Sequence, residues 1–221
     1  MGVHMLLYWL AADGAGRREA YDALAAAILC LGSSASCRWT AAAAVLRQAQ
    51  QRGADDLPSA RAAGGAEQHS LHRVTLSDEP GQLFLLSRSA KQVLQAGPDM
   101  QTFLDRATQL KQRGALQLEG MQYTVGDFRI SLARAVQAPQ QNFLGLSVDL
   151  GYLPLDDAAL AAPLLQDLAE VLQEAAEAAS GRLQRLEDAA TAGFQLPPQF
   201  SPRHRAVQYT QLMSRLQEQA S

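Results

Sequence analysis

Residues Leu116 to Leu155 read LQLEGMQYTVGDFRISLARAVQAPQQNFLGLSVDLGYLPL, alternating apolar and polar positions broken by turn formers. Near its end Leu144, Leu146, Val148, Leu150 and Tyr152 share one phase, and Gly145, Ser147, Asp149 and Gly151 the other. That is the period of a strand with one face in a core and the other toward water or a partner. Upstream, Phe128, Ile130, Leu132 and Val136 share a face with Arg134, whose stem can cover apolar surface. Ala138-Pro139-Gln140-Gln141 is too short for a crossover helix, so an antiparallel hairpin joins the two strands. Leu116 and Leu118 stand in one phase but Met121, Tyr123 and Val125 in the other, and this slip predicts a bulge or sharp bend at Glu119-Gly120. Gly126-Asp127 suits a two-residue turn, with one long bent strand as the alternative. Either way the stretch is a meander, the material of antiparallel sheets and barrels.

Around this meander the 221 residues suffice for one domain with a full core, residues 1–221, with no second domain required. A net charge of -3 argues against a dedicated nucleic-acid binder, although Arg203 to Arg205 is mildly basic. No segment has the apolar length of a membrane span, and Val3 to Ala12 lacks a basic lead, so a soluble intracellular protein is expected. Cys30 and Cys37 lack the spacing of a redox or zinc motif and read as two buried thiols.

Val3 to Leu10 reads as a strand and Arg17 to Leu31 as a helix stopped by Gly32. Cys37 to Leu46 fits a strand, while AAAAVLRQAQQ equally favours a helix. Residues 52–67 have no period and read as a flexible surface loop. Short strands are expected at Leu71 to Leu76, Gln82 to Ser87 and Lys91 to Leu94. A helix from Asp99 carrying Met100, Phe103, Leu104, Ala107 and Leu110 then runs to Gly114. After the meander Asp156 is expected to cap a long helix with Leu164, Leu165, Leu168, Val171, Leu172 and Ala175 on one face, kinked or restarted at Pro163. Residues 193–202 read as a linker, with Ser201-Pro202 starting an amphipathic C-terminal helix. Its stripe of Tyr209, Leu212, Met213 and Leu216 must dock, on the chain's own sheet by preference, or as a partner interface.

Catalytic chemistry finds little support. Gly14-Ala15-Gly16 resembles the start of a dinucleotide turn, but Glu19 stands where the third glycine belongs. His4, His69, His72 and His204 are dispersed, and His69 and His72 read as exposed. Asp55-Asp56, Asp78-Glu79 and Asp156-Asp157 fit loops or caps. Neither a catalytic residue, a metal ligand nor a cofactor site is expected.

Gly120-Met121-Gln122-Tyr123 with Gly126-Asp127-Phe128, then Leu144 through Tyr152, then Val207-Gln208-Tyr209 with Leu212 and Met213, resemble in order and spacing the Mediator complex subunit 20 family. Met1-Gly2-Val3 opens the chain as family members often open. The resemblance runs from about Gly81 to the end, whereas the alanine-rich part between Ser33 and Ser77 departs from it. It implies an α+β fold: a curved antiparallel β-sheet or barrel of RNA-triphosphatase-like topology, flanked by helices. It also implies a nuclear, non-catalytic coactivator subunit that heterodimerises with Mediator subunit 18, attaches to the head module through subunit 8, and serves RNA polymerase II indirectly. The related triphosphatases line a tunnel with alternating glutamates, whereas the meander here offers only Glu119, Asp127 and Asp149. The alternative from the residues alone is an autonomous antiparallel β-barrel that binds a small apolar ligand in an empty interior.

Overall fold

In the computed structural model the stretch that opened the reading becomes three antiparallel strands, β6 (Leu110–Val125), β7 (Phe128–Ala138) and β8 (Asn142–Tyr152). The structure describes residues 2–11, 16–48, 70–107, 110–186 and 193–219. The loop expected at 52–67, His69, Asp55-Asp56, and Gly14 and Ala15 of the glycine turn lie outside them. Upstream are β1 (Val3–Ala11), α1 (Arg17–Cys30), β2 (Ala35–Gln48), β3 (Ser70–Leu76), β4 (Leu83–Ser87), β5 (Gln92–Ala96) and α2 (Asp99–Arg106). Downstream are α3 (Ala158–Ala178), β9 (Gly181–Arg185) and α4 (Pro202–Gln219). The strands form one antiparallel sheet in the order β5-β4-β3-β2-β6-β7-β8-β1-β9. Two meanders lie side by side, and β1 fits between β8 and β9.

The sheet is curved and open. β5 and β9 are its edges and do not pair with each other, so the barrel half of the expectation does not hold. Helices cover both faces. α1 and α3 pack on Met5, Leu7, Ile130, Leu132, Leu146, Val148 and Leu150, whereas α4 packs on Leu6, Tyr8, Trp39, Ala43, Leu116, Leu118 and Ala135. α2 sits over a smaller cluster of Leu46, Leu83 and Leu85.

This double cover overturns the half-buried reading of β8. Its small and polar phase faces α4 rather than water, with Ser147 and Asp149 buried. Ala133, Ala135 and Gly145 are small because the helix needs the space: a Cβ on Gly145 would stand 3.0 Å from Leu216 Cδ2. The slip at Glu119-Gly120 is not a bulge either, since both pairings of β6 run through it without a break. Leu116 and Leu118 point to the α4 core, whereas Tyr123 points to the α1 and α3 core. The strand changes the face that is covered, so the apolar phase changes with the backbone regular. Gly120 is glycine because a Cβ there would strike the Leu132 and Ala133 backbone. The register shifts fall instead at Val45/Leu46 on β2 and at Ala135/Val136 on β7.

Other expectations divide. β2 is a strand despite its alanines, because pairing along both edges outweighs their helix propensity. The turn at Gly126-Asp127 and the hairpin across Pro139 are present. α2 stops at Arg106, and Leu110 to Gly114 already belong to β6, so Phe103 stays 65% exposed. The cap of α3 is Asp157 rather than Asp156: its carboxylate accepts from the N–H of Ala159 at 2.9 Å and of Leu160 at 3.3 Å. α3 is continuous through Pro163, and its buried stripe is Ala161, Leu165, Leu168, Leu172 and Ala176, leaving Leu164 and Val171 exposed.

Candidate functional site

The most concentrated polar chemistry lies beneath the N-terminal half of α4. Asp149 projects from β8, and His4 stands diagonally across from it on β1, whose Leu6 is Asp149's direct partner. His4 Nδ1 is 2.8 Å from Asp149 Oδ1. Arg205 donates through Nη2 to Asp149 Oδ2 at 2.9 Å, and the Tyr209 hydroxyl donates to the same oxygen at 2.7 Å. These partners come from one helix face, four residues apart. Nη1 of Arg205 is 2.9 Å from Asp78 and 3.7 Å from Glu79, both in the β3–β4 turn. Trp39 on β2 donates from its indole N–H to Asp78 at 3.1 Å. Gln208 donates to His4 O at 3.4 Å, and a Cβ on Gly151 would stand 2.6 Å from the His4 ring.

This cluster also measures the curvature. Asp78 follows β3, and β2, β6 and β7 separate β3 from Asp149 on β8. On a flat sheet those strands would lie about 19 Å apart, yet one guanidinium reaches both carboxylates.

Electrostatics follow from burial. Desolvation alone would raise the Asp149 pKa, but the charges of His4 and Arg205 and the hydrogen bonds from His4 and Tyr209 hold it well below the carboxylate range. Burial first, then Arg205, lowers the His4 pKa against the pull of Asp149. The two directions conflict, because a neutral His4 cannot supply charge to Asp149. The arrangement consistent with both is a neutral imidazole donating from Nδ1 to a carboxylate whose countercharge is Arg205. Burial first, and then Asp149, raises the Tyr209 pKa, so its phenol stays protonated and donating. The acceptors of Asp149 are occupied by internal donors, so the cluster binds β1, β8 and α4 together.

The four stripe residues Tyr209, Leu212, Met213 and Leu216 are at most 1% exposed, inside the chain's own core. They occupy the concave side where the alternative reading needs an empty interior. Arg205 of the basic tail is buried in ion pairs, and His72, expected outside, is 5% exposed on the α4 face of β3. Cys30 and Cys37 are exposed rather than buried, since each sits at an element end beyond the core. Glu119 lies outside near Arg38 at 3.8 Å, Asp127 lies in an exposed turn and Asp149 lies inside, so the three acids do not converge. Among the described residues no three His, Cys, Asp or Glu side chains gather as metal ligands. The buried cluster was missed, although its signal was present: a lone acid within a phase of Gly145, Ser147 and Gly151.

The family described as TATA-binding related factor (TRF) of subunit 20 of Mediator complex matches residues 1–214. Mediator of RNA polymerase II transcription subunit 20b of Arabidopsis thaliana is 27% identical over 145 residues, which are 65% of this chain and 66% of that protein. The chain thus matches just under two thirds of the relative's length. Among solved structures, a chain of the Schizosaccharomyces pombe Mediator head module aligns at TM-score 0.43 and 11% identity, covering 83% of this chain and 100% of that one. The Pct1 RNA triphosphatase of the same yeast aligns at TM-score 0.35 and 7% identity, covering 80% and 84%. Both likenesses are too low to add to the family match.

Proposed function

The chain belongs to the family of subunit 20 of the Mediator complex, and from that premise we propose that it is a non-catalytic structural subunit of Mediator in the nucleus. In this reading it heterodimerises with subunit 18, joins the head module through subunit 8, and contributes to RNA polymerase II transcription without contacting DNA itself. The observation that carries the reading is the family match across residues 1–214. The buried cluster supports it, because its charged groups are spent on holding α4 against the sheet, as suits a scaffold. Exposed apolar side chains remain for contact on the α3 side, at Leu160, Leu164 and Val171. Coexpression with the cognate subunit 18 and size-exclusion chromatography tests the proposal. Co-elution at moderate salt is the expected result, and separate elution of two folded proteins overturns the heterodimer.

A further inference from the structure

The C-terminal half of α4 and the β4–β5 turn border a cleft of about 420 Å3. Its apolar wall is the partly exposed Phe194 with the edge of Leu186, backed by the fully buried Val207, and its rim carries the cations Arg88, Lys91 and Arg215. Among the described residues the one acid on the rim is Glu218, 3.4 Å from Arg215. Arg88 donates through Nη2 to Thr210 O at 3.3 Å and Ser214 Oγ at 2.8 Å, which fixes its guanidinium at the mouth without neutralising it. The Lys91 ammonium lies 5.6 Å from the centre of the Phe194 ring. In the wall, Gln211 Nε2 is buried without an acceptor among the described residues.

An exposed cation alone is solvated and needs no partner. Here three border an apolar wall beside an unmet buried donor, on a chain whose net charge is -3. A small inorganic anion would satisfy the rim and leave the wall wet, whereas a ligand both acidic and apolar complements each part. We propose that this cleft binds an acidic peptide segment of a partner protein, its carboxylates meeting Arg88, Lys91 and Arg215 and an apolar side chain seated against Phe194 and the edge of Leu186. This is independent of the heterodimer proposed above, because it is tested on the chain alone.

The probe is a labelled peptide in which Asp and Glu alternate with Leu and Phe, followed by fluorescence anisotropy. Saturable, salt-sensitive binding is expected, weakened about tenfold or more by the pair Lys91→Glu and Arg215→Glu with thermal stability unchanged. Arg88 is left intact because it anchors α4, and Arg18→Glu on α1 is the control that should bind normally. Equal binding of a peptide with Lys in place of the acids overturns the proposal, as does undiminished binding by the double variant or displacement by inorganic phosphate beyond that by sodium chloride at the same ionic strength. Glu187 and Asp188 follow Leu186 in sequence. If Glu187→Gln with Asp188→Asn is required before any peptide binds, the chain fills its own cleft and the proposal fails.

Discussion

Asp149 shows how much one side chain can organise. Its carboxylate joins β1, β8 and α4 through His4, Arg205 and Tyr209. Asp149→Asn keeps the shape but removes one of the two carboxylates 2.9 Å from Arg205, and we expect it to destabilise the fold by about 3 kcal/mol, read from urea denaturation. The buried histidines set a separate dependence on pH. His4 and His72 are both harder to protonate folded than unfolded. Their contribution is therefore complete above the unfolded pKa of about 6.5 and is lost as pH falls toward the folded values. For His72, whose folded pKa is about 4, the loss across that window is roughly 3 kcal/mol. Asp149 is lowered instead, so its contribution is lost only below the ordinary carboxylate range. Urea midpoints at pH 7 and pH 5 should differ markedly in the native chain and less in His72→Gln; equal slopes would remove His72 from the account.

Single elements show what sequence can reveal. Gly120→Ala puts a Cβ against the Leu132 and Ala133 backbone and is expected to cost 1 to 3 kcal/mol, about the range for forced overpacking; a thermal midpoint equal to the parent's would contradict the close approach. Most strand positions were legible, because alternation and turn residues are local, but β9 was not expected and the first residues of β6 were read as the end of a helix. Even β2 was within reach through its alternation. What covers a strand was not legible, since Gly145, Ser147 and Asp149 look alike under water and under a helix more than fifty residues away in sequence. The same ignorance turned a change of covered face at Gly120 into an apparent bulge. On α3 the apolar positions were found, but not that Leu164 and Val171 fall outside the stripe that packs on the sheet. Of the buried cluster, each residue was visible and none of the contacts, because all but the neighbours on α4 join remote segments.

At the scale of the whole molecule, an open sheet keeps its curve because α4 is seated in it. That helix buries Pro202, Arg205 through Tyr209, Thr210, Leu212, Met213 and Leu216. A chain ending at Ser201 is expected to lose its cooperative thermal transition, followed by circular dichroism, whereas a sharp transition in that shortened chain would show the sheet to be self-sufficient. The contact of Gln208 with His4 bridges 204 residues. Loops of that length close slowly, and their contacts reward the chain only once closed. Time, then, separates the first strand from its cover: until α4 arrives, Leu6 and Tyr8 stand bare beside an Asp149 met only by His4, and in that interval the growing chain is most open to wrong associations.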